Sequence, residues 1–188
     1  MSRPTPVDRE IALDPTRSII SKTDTFGNIT YANEYFSQVC GYSENELLGT
    51  PHNIVRHPDM PRVAFKLMWD TIKGGKNFRA IVKNLAKDGR YYWVVTDFEH
   101  RYDPMSGDIV GYTAVRNPAS REAIALIEPI YKKLVEIEFE HGIEASGRFL
   151  NEFLAEKKLT YDEFVHTVTL EEPSKKGLLL RLKRLFHK

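Results

Sequence analysis

Three strand-like runs joined by short turns constrain the fold of this chain most strongly. They cover residues 78–85, 91–100 and 109–116 and are rich in the aromatic and β-branched residues that favour strands. The first turn contains Asp88-Gly89, a dipeptide typical of a two-residue β-hairpin. Three runs connected in this way predict three neighbouring antiparallel strands.

Two shorter strands and several helices are predicted before these runs. A hairpin signal covers residues 16–32, with its turn at Gly27-Asn28. Helical patterns follow at residues 33–39, at the Ser-x-x-Glu capping box of residues 43–46, and at residues 63–72. The economical solution is an α+β fold in which short helices cup a five-stranded antiparallel sheet and a helical extension follows.

The sequence divides into four predicted segments. They are an N-terminal arm (1–15), a central domain (16–118), a helical extension (119–172) and a basic amphipathic tail (173–188). Pro129 lies inside the helical pattern of the extension, where we expect it to kink or restart the helix. The tail suits an anionic membrane surface or an acidic groove of a partner, but it equally suits a helix docked on the domain or a frayed terminus.

Composition excludes several functions. The net charge of +1 gives no bulk attraction to nucleic acid, and the single Cys40 rules out an internal disulfide or a cysteine-cage zinc site. The chain has no apolar run of about 18 residues and no signal peptide, so we expect a cytoplasmic protein. We find no catalytic motif and predict no metal site and no enzyme.

The proline-bounded segment HNIVRHPDMP (residues 52–61) is the strongest candidate for a ligand site. Arg56 offers a guanidinium that suits a phosphate or an anionic ring, although an ion pair with Asp59 would also explain it. His52 and His57 could contact a ligand, or they could cap helices or bind backbone carbonyls. Asp59 could cap the helix that begins near Pro61.

Several motifs carry a family resemblance. The opening TDTFGNITYANEYFSQVCGYSENELLG and the later NLAKDGRYYWV and IVGYTAVR resemble a PAS sensor domain. The segments PHNIVRHPDMP and FKLMWDTIKGGKNFRAIVKN resemble, more specifically, the PAS domain of bacterial aerotaxis (energy-taxis) receptors. This resemblance implies that the chain binds FAD noncovalently and reports its redox state.

The resemblance also implies a set of cofactor-binding residues. We expect Asn84 to meet the flavin ring, because an amide matches its polar edge and needs a partner on an apolar strand. Asn33 equally fits a turn or a helix cap, and Trp69 and Trp93 equally fit core packing. The resemblance implies a tryptophan near the position of Phe78, where this sequence has a phenylalanine. This difference weakens a stacking or electron-transfer role for Phe78 but not FAD binding itself. The candidates are Arg56, His57, Asp59, Asn84, Asn33, His52, Trp69, Trp93 and Phe78.

The implied function is a cytoplasmic redox or energy sensor that stands alone, without a membrane anchor or signalling domain. Its expected partner is a signalling protein such as a membrane chemoreceptor, and we expect a homodimer formed through terminal helices. The tail would recruit it to the inner face of the membrane. Two alternatives remain: a PAS sensor that binds haem b through His52 or His57, and a cofactor-free interaction module with a pocket filled by side chains. Cys40 is expected to be a small buried residue.

Overall fold

A five-stranded antiparallel sheet forms the centre of the molecule. The computed structural model describes residues 3–169. The strands are β1 (Ile19–Thr23), β2 (Ile29–Ala32), β3 (Phe78–Leu85), β4 (Tyr91–Tyr102) and β5 (Ile109–Pro118), in the spatial order β2-β1-β5-β4-β3. The predicted sheet is therefore confirmed, with β4 and β5 each two residues longer than the sequence pattern indicated.

Helices connect and flank the strands. They are α1 (Glu34–Cys40), α2 (Glu44–Leu47), a 3₁₀ turn (His52–Val55), α3 (Arg62–Lys73), α4 (Arg121–Lys157) and α5 (Tyr161–Thr169). The helical extension is confirmed as far as Thr169, while the predicted tail of residues 173–188 lies outside the described residues. Within residues 3–169, no helix combines the length and apolar character that crossing a membrane requires.

Local caps define the short helices as the sequence predicted. The Asn33 side chain accepts a hydrogen bond from the backbone N–H of Phe36 (3.0 Å) at the start of α1. At the start of α2 the Glu46 carboxylate accepts from both the backbone N–H and the hydroxyl of Ser43, each at 3.0 Å. These contacts fix the segment that leads into the proline-bounded loop.

The first part of the long helix α4 packs on the face of the sheet opposite α3. Its Tyr131 stacks on Trp93 of β4 (6.5 Å between ring centroids) and donates a hydrogen bond to the backbone oxygen of Ile81 (2.8 Å). In the register of β3 and β4, Trp93 lies opposite Lys83, whereas the next pair is Asn84 and Tyr92. Because side chains alternate along a strand, Trp93 and Asn84 belong to opposite faces.

The break in α4 lies at Gly142 and not at Pro129. The helix runs through Pro129, and Gly142 is its one residue with non-helical dihedrals (φ 81°, ψ 172°). The helix therefore does not restart at Pro129, which was one of the two effects expected of this residue. Ile127 and Ile130 are buried on either side of Pro129 and hold the helix in place through it, whereas Gly142 has no side chain to anchor.

The N-terminal arm pairs with the central domain. The backbone N–H groups of Val7 and Ile11 donate to the carbonyl oxygens of Gly89 (2.8 Å) and Tyr91 (2.7 Å), and Tyr91 donates back to Arg9 (3.1 Å). The arm therefore lies beside the start of β4 and pairs with it through one isolated parallel bridge, between Glu10 and Tyr91.

Candidate functional site

A cavity of about 450 Å³ lies between the sheet and α3. Its volume is in the range of small-molecule and cofactor sites. Apolar walls come mainly from Val82, Phe98 and Ala114 of the sheet and from Phe65, Met68 and Ile72 of α3. A few polar side chains interrupt these walls, which is the composition expected of a site that orients a largely apolar ligand.

Four of the nine predicted residues line this cavity: His52, Arg56, Trp69 and Asn84. The guanidinium of Arg56 lies over the Phe65 ring (4.1 Å to its centroid), and its Nη2 donates to the backbone oxygen of Met60 (3.3 Å). Burial lowers the pKa of Arg56 below its ordinary value. The arginine is thus held by a ring and a carbonyl at the cavity wall and keeps further donors for a ligand.

Trp69 closes the cavity beside the turn between β1 and β2. Its ring meets Tyr112 edge-on (5.8 Å between centroids) and packs against Gly27. Gly27 has a φ of +89°, and a Cβ there would lie 3.0 Å from the Trp69 ring. Glycine therefore allows both the turn and its close approach to the tryptophan.

Two polar groups in the cavity wall have no hydrogen-bond partner among residues 3–169. The Thr96 hydroxyl is buried and unpartnered. Asn84 is 5% exposed and lines the cavity, and no described group bonds to its amide. Because an unpaired buried polar group costs about 1–3 kcal/mol, the Thr96 hydroxyl fits a ligand that supplies its partner. The Asn84 amide offers two donors and an acceptor to the same ligand.

A buried polar cluster lies beside them on β5 and β1. Nη1 of Arg116 donates to Ser21 Oγ (3.0 Å) and to the Ala114 carbonyl (3.3 Å), and Nη2 lies 2.9 Å from His52 Nε2. Because a guanidinium only donates, this ring nitrogen accepts. Burial and the charge of Arg116 lower the pKa of His52 to about 3, and burial lowers the pKa of Arg116 to about 10.

Sequence reasoning missed Arg116 and Thr96. Tyr112, Ala114 and Arg116 alternate along β5 and all line the cavity, so a period-of-two reading of IVGYTAVR would have assigned Arg116 to the same face. Thr96 lies directly opposite Arg116 in the register of β4 and β5. Its position follows only once that register is known.

His57 and Asp59 lie outside the cavity. His57 Nδ1 accepts from the backbone N–H of Asp59 (3.1 Å), and its ring meets Tyr91 edge-on (6.0 Å). Burial is the main cause that lowers the pKa of His57 to about 4. The Asp59 carboxylate, 62% exposed, pairs with Nζ of Lys83 (2.7 Å) and not with Arg56.

Asp59 also does not cap α3. The carboxylate of Glu138, from α4, accepts from the backbone N–H groups of Arg62 (2.8 Å) and Val63 (2.7 Å). The expectation that Asp59 caps this helix is therefore wrong, because a carboxylate distant in sequence occupies the position. This contact also links the helix that lines the cavity to the extension.

The remaining three candidates have structural contacts elsewhere. Asn33 caps α1, and its amide also bonds to the backbone of Ser18 and Ile20. Trp93 faces α4, as described above. Phe78 stacks on Tyr161 of α5 (5.3 Å, 1° between the ring planes), and its ring centroid lies 6.2 Å from that of the cavity residue Phe98. Cys40 is buried, as expected, and burial raises its pKa to about 11.

Comparison with known proteins identifies a family. Residues 29–116 match the family model described as PAS fold. The chain is 44% identical over 135 residues to the aerotaxis receptor of Escherichia coli (strain K12), a match that covers 71% of this chain and 26% of that protein. It is 34% identical over 101 residues to the nitrogen fixation regulatory protein of Klebsiella pneumoniae, covering 54% of this chain and 20% of that protein. The chain thus spans about a quarter or less of the length of these relatives.

A solved structure supports the same fold. The structure of an RNA-binding light-oxygen-voltage receptor superposes with a TM-score of 0.50 at 16% identity, covering 65% of this chain and 33% of that one. At this identity the likeness bears on the fold alone.

Proposed function

Because residues 29–116 of this chain form a PAS domain, we propose that it is a redox sensor that holds FAD in the cavity between the sheet and α3. The observation that carries the proposal is the cavity itself. Its apolar walls enclose about 450 Å³, and the unpartnered Asn84 and Thr96 groups stand beside two arginines. A flat apolar ring with one polar edge would pack against these walls and hydrogen-bond to these polar groups.

Each polar residue has a specific task in this proposal. The Asn84 amide offers one acceptor and two donors to the edge of the ring, and the Thr96 hydroxyl adds one donor or acceptor. Arg56, which lies nearer the solvent than the sheet residues, suits the phosphates of the cofactor. Trp69 and Phe65 contribute apolar area that excludes water from the ring.

Signal output would begin at the cavity wall. Bound flavin supplies reversible electron uptake, which changes charge and hydrogen bonding next to the protein groups of the wall. Two contacts lead from this wall to α4: the cap that Glu138 provides to α3, and the stacking of Tyr131 on the far face of the sheet. A differential interaction of a few kcal/mol would suffice to shift the position or order of α4.

The proposed partner, which would receive the signal, is a signalling protein of the chemotaxis class. The similarity to the aerotaxis receptor supports this choice, and it also supports a site of action in the cytoplasm. The α4 and α5 helices are the natural contact surface, either for this partner or for a second copy of the chain.

The two alternatives, a haem-binding sensor and a cofactor-free interaction module, have less support. A haem iron would need the free lone pair of a histidine, but His52 Nε2 already accepts from Arg116, and His57 lies outside the cavity. A cofactor-free module would be expected to fill its pocket with side chains, whereas this cavity is open.

A binding experiment tests the proposal. The purified chain is mixed with excess FAD, passed through gel filtration, and assayed for flavin that co-elutes with protein; haem is tested in parallel. We expect about one flavin per chain and no stoichiometric haem. Protein that elutes without flavin, or that retains haem in its place, would contradict the proposal.

A further inference from the structure

Arg116 is a buried cation that no described carboxylate neutralises. Its side chain is buried in the sheet and lines the cavity. The groups within hydrogen-bond distance are the Ser21 hydroxyl, the Ala114 carbonyl and the His52 ring, and none of them is anionic. Within residues 3–169, Arg116 takes part in no ion pair, whereas Arg79 on the same sheet pairs with Asp97 at 2.6 Å.

The neighbours of Arg116 accept its hydrogen bonds but carry no negative charge that would neutralise it. His52 is neutral, since its lowered pKa lies well under neutral pH, and it directs a lone pair at the guanidinium. Thr96, directly opposite on β4, has an unpartnered hydroxyl. An isolated buried charge costs several kcal/mol unless an opposite charge meets it. Arg116 lines the cavity, so a ligand in the cavity can supply the opposite charge that the protein does not.

We infer that Arg116 is the residue through which the cavity recognises negative charge on the flavin ring, so that it favours reduced flavin over oxidised flavin. This inference rests on the proposed function. Two electrons and one proton, supplied in the test by dithionite and water, convert the neutral oxidised ring into a reduced ring with one negative charge. The attraction of that charge to a guanidinium is strong in a dry pocket and weak in water.

The consequence is a higher reduction potential for the bound cofactor. A site that binds the reduced form more tightly than the oxidised form raises the midpoint potential in proportion to the logarithm of the ratio of the two affinities. Arg56 and Lys73 also face the cavity, but both are more exposed than Arg116 and are therefore screened more strongly by water.

The first test removes the charge. Arg116→Gln keeps a hydrogen-bond donor near Ser21, and Arg79→Gln makes the same change at an arginine outside the cavity. Flavin content is measured first, and the midpoint potential of bound flavin is then measured against a reference dye. We expect Arg116→Gln to lower the ratio of reduced to oxidised affinity at least tenfold, about 30 mV for a two-electron couple. Arg79→Gln should match the unaltered protein.

The second test keeps the arginine and neutralises it. Ser21→Asp places a carboxylate beside Nη1, and Ser21→Asn has the same shape without the charge. The Asp variant should have a potential lower than the Asn variant by a similar amount. This pair decides the question if Arg116→Gln does not fold.

The outcomes separate the inference from the proposed function. Lower potentials in Arg116→Gln and in Ser21→Asp, relative to their controls, support the inference. Flavin-loaded variants with unchanged potentials overturn it and leave FAD binding intact. An unaltered protein that binds no flavin overturns both.

Discussion

Arg56 and Asn84 are joined by an isolated antiparallel β-bridge, which connects the proline-bounded loop to the strand β3. Their segments are distant in sequence, and both side chains line the same cavity. The bridge therefore makes the loop and the sheet two walls of one site. Because the bridge joins their backbones, a displacement of either wall should also displace the other.

The first prediction concerns Asn84. Its amide has no described protein partner, so Asn84→Ala should weaken FAD binding about tenfold, the equivalent of about 1.4 kcal/mol. The same variant should leave the thermal stability of the cofactor-free protein nearly unchanged, because no described group bonds to the amide. Binding is measured by flavin fluorescence. Asn151→Ala, at an exposed position on α4, serves as the control. Equal affinities in the two variants would contradict the assignment.

The second prediction concerns pH. In the folded protein the pKa of His52 is lowered to about 3 and that of His57 to about 4, from an ordinary value of 6.5, mainly by burial. The unfolded chain therefore binds more protons between about pH 6.5 and pH 4. The free energy of unfolding should fall as the pH falls through this window, by about 1.4 kcal/mol per pH unit for each fully linked proton.

Urea unfolding at several pH values between about 7 and 4.5 measures this slope. His52→Gln retains an acceptor for Arg116 and should flatten the slope by up to one proton. His141→Gln, whose side chain is 66% exposed on α4, should leave the slope as it is. Equal slopes in both variants would show that His52 does not titrate as described.

The third prediction concerns the link between α3 and α4. Glu138 caps α3 from a distant helix, so Glu138→Ala should reduce the free energy of unfolding by about 1–2 kcal/mol, as the loss of a helix cap does. Glu140→Ala, at an exposed position two residues further along α4, should change it by less than about 0.5 kcal/mol. Denaturant titration of both variants compares the two losses, and similar values would argue against the cap.

The fourth prediction concerns the N-terminal arm. Gly89 has a φ of +88°, and a Cβ there would collide with the backbone oxygen of Thr5. Gly107 has a similar φ of +75°, but a Cβ there would meet nothing within 4 Å. Alanine at either position should cost about 1–2 kcal/mol of backbone strain. Only Gly89→Ala should also release the arm, detected as faster hydrogen exchange at the N–H groups of Val7 and Ile11. Unchanged exchange there would refute the close contact.

Sequence patterns predicted the elements that follow from local chemistry. The Asp88-Gly89 turn, the Ser43–Glu46 capping box and the amphipathic α3 all depend on neighbours in sequence, and all are present. The sequence also singled out Arg56 and Asn84, which line the cavity, because a charged loop and a polar residue within an apolar strand are visible without a structure.

The remaining site residues depend on face and register. Trp93 lies in a stretch of β4 that is buried on both faces, so no alternation of polarity showed which face it occupies. Phe78 is covered by α5, whose Tyr161 is 83 positions away in the sequence. By sequence, Asp59 could pair with Arg56 or cap the following helix, and the structure pairs it with Lys83. Long-range packing decided each case.

An absorption spectrum of the purified protein, recorded with added FAD before and after dithionite, tests the central claim most directly. After free cofactor is removed, we expect flavin absorption in the blue that bleaches on reduction and returns in air. Asn84→Ala prepared in the same way should retain less of it. A colourless protein after FAD addition, or an intense Soret band in place of the flavin spectrum, would contradict the account.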